Sequence, residues 1–138
     1  MEPYKHRVHY YETDKMGCVH HSNYIRWMEE ARVDFLERSG IGFPILEARG
    51  IYSPVVGVEC RYRRPTYSDD EIRVAEGVES YSGIRFRFTY EMTNAAGTVV
   101  ATGASEHCFT DTSGRPISLK KLHPDLDEIL SASLEKKD

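Results

Sequence analysis

Asp14, His20 and His21 are the residues whose types and spacing could do chemistry. They fall within Tyr10-Tyr11-Glu12-Thr13-Asp14-Lys15-Met16-Gly17-Cys18-Val19-His20-His21-Ser22-Asn23-Tyr24. A carboxylate follows an aromatic-rich stretch, a loop with one glycine comes next, and two histidines stand where a long amphipathic pattern begins. A helix N-terminus offers unpaired backbone N–H groups and partial positive charge, which suits a developing oxyanion. A carboxylate beside it can act as base or nucleophile on an electrophile held there. The combination points to acyl transfer to water.

Each of these residues also has a plainer reading. An isolated Asp before a helix is usually a cap, and only the surrounding motif reverses that preference here. His20 reads as a surface or packing residue. With His9 and His107 the histidine pair could suggest a metal, but adjacent histidines share an ion poorly and no HExxH spacing occurs, so no metal is expected. Ser53, Ser105 and Ser113 lack a G-x-S-x-G setting. Neither G-x-G-x-x-G nor a Walker sequence is present, and no cofactor is expected.

Elements that could position these groups follow from the pattern. Lys5 to Glu12 reads as a strand, with Val8 and Tyr10 on one face and Arg7, His9 and Tyr11 on the other. From Ser22, a candidate N-cap, the period turns helical and runs to a stop at Gly40. Tyr24, Met28, Ala31 and Phe35 form its stripe, widened by Trp27 and Leu36, while Glu29 and Arg32 read as a surface pair. Val56, Val58, Cys60 and Tyr62 alternate in the next strand; Ile72, Val74 and Val78 follow, with Gly77 a candidate bulge. Ile84, Phe86, Phe88, Tyr90 and Met92 alternate strictly. Asn94 to Gly97 is a hairpin signal before a last strand from Thr98 to Thr110. A short helix starts near Pro124, with Leu126, Ile129 and Leu130 on one side. The class is α+β: an antiparallel sheet, its last four strands in a meander, wrapped around one long helix.

The 138 residues are read as one domain, large enough to bury a core, and a net charge of −4 argues against nucleic acid as the main partner. No apolar run reaches the ~20 residues of a membrane span. Three widely spaced cysteines, Cys18, Cys60 and Cys108, fit reduced thiols in the cytoplasm better than a disulfide framework.

The pattern Tyr-x-acidic-Thr-Asp, then Gly and Val, then a His pair and a Tyr opening a helix, resembles the hotdog-fold acyl-CoA thioesterases. The similarity is to the 4-hydroxybenzoyl-CoA thioesterase type, including the bacterial enzymes associated with the Tol-Pal system. It runs from Tyr10 through Tyr24 into Glu29, Ala31 and Arg32, and resumes at Tyr62, Pro65 and Asp69-Asp70. Cys18 stands where a small aliphatic residue is more usual, and Glu12 replaces a frequent Asp. The resemblance implies that Asp14 is the catalytic carboxylate and that the backbone N–H of His21 polarises the thioester carbonyl. The His21 side chain would help to position water or substrate. Tyr24 and Trp27, near the helix start, are candidates for the acyl-pocket wall, although most of their stripe is expected to be core. Arg63 and Arg64, with Arg61, are candidates to meet the phosphates of CoA, water-facing strand arginines being the default.

The expected reaction is hydrolysis of a short or medium acyl-CoA, or of an acyl group on acyl carrier protein. The alternatives are a hotdog hydratase or dehydratase, and a non-catalytic module binding acyl-CoA or an acyl carrier. A sheet wrapped on one side around a helix leaves an edge and an outer face with Tyr52, Tyr67 and Tyr81 to be covered. A homodimer or homotetramer is therefore expected.

Overall fold

The computed structural model describes residues 2–134. Met1 and the last four residues of the expected domain lie outside them. Five strands form one antiparallel sheet: β1 (Tyr4–Arg7), β2 (Val55–Tyr62), β3 (Glu71–Tyr81), β4 (Arg85–Thr93) and β5 (Val99–Cys108), in the order β1-β3-β4-β5-β2. The helices are α1 (Ser22–Ser39), α2 (Phe43–Ala48), α3 (Leu119–Leu122) and α4 (Pro124–Ala132). This is the hotdog arrangement, a long helix packed against a curved sheet.

α1 forms where its apolar period predicts. Tyr24, Trp27, Met28, Ala31, Phe35 and Leu36 are all buried, and the helix ends at Gly40 with a left-handed φ of 91°. Each of the larger side chains contributes roughly 2 kcal/mol by leaving water. Phe35 meets Phe88 of β4 edge to face at 5.3 Å between centroids. On β5, Gly103 lets the helix close in. A Cβ there would stand 2.8 Å from the Glu59 carbonyl oxygen and 2.9 Å from the Met28 sulfur.

Several expectations give way to tertiary effects. The first strand stops at Arg7, and Tyr10–Glu12 form a 3-10 turn, because the Glu12 carboxylate takes the His9 N–H at 2.8 Å and removes it from any ladder. Val8 is buried as expected, but Tyr10 is 84% exposed. His21 rather than Ser22 occupies the cap position of α1; the Ser22 hydroxyl lies instead 2.8 Å from His20 Nδ1. Arg32 is buried, not half of a surface pair. Tyr81 does not face solvent freely, since its hydroxyl donates to Asp127 on α4 at 2.6 Å.

Only β3, β4 and β5 make the expected meander. β2 crosses to the far edge and pairs with β5, Cys60 standing opposite Gly103. The alternation of a strand reports which face it buries, not which neighbour it takes. The irregularity in β3 falls between Val78 and Ser80 rather than at Gly77. Ile84 lies just outside β4, while Phe86, Phe88, Tyr90 and Met92 face the core as their spacing predicts. At the C-terminal end, Leu126 and Leu130 of α4 join the same core.

Candidate active site

The loop after the 3-10 turn is closed by a bridge between Thr13 and Val19. Within it the Asp14 N–H donates to the Cys18 carbonyl at 2.8 Å, and the Gly17 N–H donates to the Asp14 carbonyl at 3.0 Å. Gly17 takes φ of 84°, which an L side chain adopts only with strain. The Asp14 side chain is held through one oxygen: Oδ1 accepts the Met16 N–H at 2.8 Å and lies 3.8 Å from Cys18 Sγ. Among the described residues no group bonds Oδ2. One oxygen is anchored and the other is available.

The start of α1 is tied to this loop. The His20 N–H donates to the Glu12 carbonyl at 2.9 Å, and Asn23 Nδ2 donates to the same oxygen at 2.9 Å. Ser22 N–H turns to His20 Nδ1 at 3.2 Å, and Asn23 N–H to the His20 carbonyl at 3.0 Å. The His21 N–H, by contrast, finds no acceptor among the described residues. It is exposed at the positive end of a helix of 18 residues. Because His20 Nδ1 accepts from the Ser22 N–H, its ring proton belongs on Nε2 and it serves the cap rather than the reaction.

His21, Tyr24, Arg63 and Arg64 line one open cleft of about 270 Å³, together with Val19, Tyr62 and Pro65. Tyr62 donates its hydroxyl to the His21 carbonyl at 3.1 Å. Burial, with Cys60 beside it, pushes its pKa up to about 12, so it remains a neutral donor. Tyr24 is packed edge-on to Tyr62 and shares a hydrogen bond of 2.7 Å with Thr66. Arg63 and Arg64 extend from a backbone fixed by two N–H bonds to the Val100 carbonyl, at 2.8 and 3.2 Å. Asp14 is not among the lining residues; its neighbour Thr13 forms the bridge to Val19 of the cleft wall.

Trp27 does not line the cleft. It is fully buried, and its indole N–H donates to Glu12 Oε2 at 2.7 Å. A buried indole needs an acceptor, and Glu12 supplies it. The same carboxylate meets His6 Nε2 at 2.8 Å and the His9 N–H at 2.8 Å, so it joins β1, the 3-10 turn and α1. Burial opposes its charge, but the His9, His6 and Trp27 donors together hold its pKa below the ordinary value. Ligand-type atoms of His6, His9 and Glu12 lie within 4.8 Å of one another. Both Glu12 oxygens are engaged by these donors, which makes the cluster a structural joint. Sequence reasoning passed over this joint and the contact between Cys18 and Asp14. Trp27 was the signal available for the first; nothing announced the second.

One long helix packed against an antiparallel sheet is the fold of a thioesterase class. The chain belongs to the Thioesterase-like superfamily, whose family model matches residues 8–132. Among relatives, it is 34% identical over 119 residues to YneP of Bacillus subtilis, named as a candidate acyl-CoA thioesterase, with 86% of each chain covered. It is 29% identical over 94 residues to the acyl-CoA thioester hydrolase YbgC of Escherichia coli O157:H7, covering 68% of this chain and 70% of that one. Among solved structures, the DHNA-CoA thioesterase of Staphylococcus aureus superposes with a TM-score of 0.91 at 32% identity, covering 95% of this chain and 89% of that chain.

Proposed function

We propose that this chain hydrolyses acyl-CoA thioesters to free acid and CoA, with Asp14 and the His21 N–H as the working pair. One observation carries the reading. The loop that begins at Asp14 and the start of α1 leave a carboxylate oxygen and a backbone N–H without partners among the described residues, and the Thr13–Val19 bridge ties that loop to the residue beside the histidine pair. The N–H would polarise the thioester carbonyl. Asp14 would remove a proton from attacking water, and the tetrahedral intermediate would expel the thiolate to leave the free acid. Alternatively, Asp14 would attack the carbonyl carbon itself, expel the thiolate and form a mixed anhydride that water then cleaves to the free acid. A thioester already has a good leaving group, so a base worth ~10²–10⁴-fold and an oxyanion donor worth ~10²–10³-fold suffice. YneP and YbgC carry acyl-CoA in their names, which supports CoA as the carrier.

His21 would orient water or substrate, Tyr24 would form cleft wall, and Arg63 and Arg64 would face the phosphates of CoA. The opening motif favours the 4-hydroxybenzoyl-CoA type, near the Tol-Pal-associated branch, and a short or medium acyl group. The working form is a homodimer or larger, joined at the β2 edge, in a reducing compartment that suits the three free cysteines. A panel of acyl-CoA thioesters with a colorimetric thiol readout tests the reading. Turnover of aliphatic members is expected; no thiol release from any member would overturn it.

A further inference from the structure

We propose that the cleft between α1 and β2 takes the acyl chain of a thioester whose far end carries a carboxylate, selected by Arg32. The inference rests on the thioesterase reading and adds the chemistry of the acyl group. The cleft encloses about 110 Å³, with Ile25, Met28, Val55 and Val58 as apolar walls and Glu29, Arg32 and Ser105 as its polar residues. That is less than the ~150 Å³ known to hold a benzene ring, so it accepts the tip of a chain rather than a bulky group.

Arg32 is an unusual residue to find there. It is 6% exposed, its Nε–H has no acceptor, and among the described residues no carboxylate pairs with it. Its Nη1 lies 3.4 Å from His107 Nε2, and its charge also bears on the Tyr90 hydroxyl. Burial, reinforced by the Arg32 charge, drops the His107 pKa to about 3, so the ring is neutral. Arginine only donates, so His107 Nε2 is an acceptor and its proton sits on Nδ1. Ser105, 2.7 Å away, must then donate to Nε2, and Tyr90 must donate to Ser105, also at 2.7 Å. The direction of every proton in the chain is fixed, and nothing in it carries negative charge. A buried guanidinium left this way is costly, and an anion entering the cleft would offset that cost.

The helix sets the length. The eleven residue steps from His21 to Arg32 rise ~16 Å, and helical side chains lean back toward the N-terminus by about a turn. With C–C bonds of about 1.5 Å, the remaining span suits a chain of roughly eight carbons. Glu29, exposed and also at the cleft, lies between the two ends. It would repel the carboxylate of a short diacid and leave that of a long one undisturbed.

The test compares kcat/KM for suberyl-CoA with octanoyl-CoA, and for succinyl-CoA with butyryl-CoA. The native chain should favour suberyl over octanoyl by at least about tenfold, with no such preference in the four-carbon pair. Arg32→Gln should lower turnover of suberyl-CoA at least about tenfold more than that of octanoyl-CoA. Equal losses on both, or a native preference for octanoyl-CoA, would overturn the proposal while leaving the thioesterase reading intact. If Arg32→Gln does not fold, the native ratios alone decide. Failure to hydrolyse any of the four overturns this proposal, and the wider acyl-CoA panel then decides the thioesterase reading.

Discussion

At the residue scale the chemistry turns on what Asp14 retains when its charge is removed. Asp14→Asn keeps shape and the Oδ1 acceptor for the Met16 N–H, so the loop should hold. If the carboxylate is base or nucleophile, kcat should fall at least ~10²-fold while KM changes little, because the interaction is made in the transition state. If it were only a cap, Asn would serve as well and steady-state kinetics would show near-native turnover. His21→Ala should cost less, since the backbone N–H survives the substitution. Cys18 offers a separate probe. Iodoacetamide at its sulfur, 3.8 Å from Asp14 Oδ1, should inactivate the enzyme, and Cys18→Ala should resist the reagent even though Cys60 and Cys108 remain. Inactivation of that variant at the native rate would remove Cys18 from the account. Asp14 and His21 were legible because residue type and spacing along one loop suffice to propose them. Glu12 and Arg32 were not, because their roles come from partners on other elements, such as Trp27 and His107. An alternating or helical pattern cannot foresee an acceptor 75 residues away.

At the element scale two buried carboxylates have opposite consequences. Glu12 fastens β1 and the 3-10 turn to α1, and Glu12→Ala would leave the Trp27 N–H, the His9 N–H and His6 without an acceptor. A loss of at least about 3 kcal/mol in urea unfolding is expected, from several orphaned donors at 1–3 kcal/mol each. Glu76, on β3, has no side-chain hydrogen-bond partner among the described residues, and Arg38, the cation paired with it at 4.0 Å, is already committed to Asp34 at 2.7 Å. Burial outweighs the Arg38 charge and pushes its pKa from 4.5 to about 7. Its folded value thus lies above the unfolded one. The stability linked to its protonated form is present below pH 4.5 and is lost as pH rises through about 7. Glu76→Gln should therefore gain stability relative to the native chain at pH 8, with little difference at pH 4. Unfolding midpoints at the two values test this, and a constant difference would place the strain elsewhere. The helix α1 and the alternation in β4 were legible element by element, since each buries one continuous face. The end of β1 was not: a side chain competing for the His9 N–H decides it. Nor was the crossing of β2, which its own sequence does not encode.

At the scale of the whole molecule, β2 is the edge at which copies would meet. Pairing with β5 leaves it as one edge of the sheet, where Val55, Val56 and Val58 are 52%, 47% and 47% exposed. The other edge, β1, has only four residues. A long apolar edge with unpaired N–H and C=O groups is a template for another strand. The sequence made an exposed edge foreseeable; only the strand order identifies it. The outer sheet face offers a poorer interface, since Arg87 lies there among Glu59, Glu79 and Glu106 at 2.8–3.0 Å and satisfies its charges within the chain. Two chains joined edge to edge would bury the valines and close the open side of the cleft beside α1. Light scattering at micromolar concentration should therefore give a dimer or a multiple of one. Val56→Lys places a charge in the centre of that edge and should shift the chain toward monomer, with thioesterase activity falling in step with the dimer fraction as concentration is lowered. A native chain that is monomeric at micromolar concentration and fully active would show that β2 is not an interface and that one chain holds a complete site.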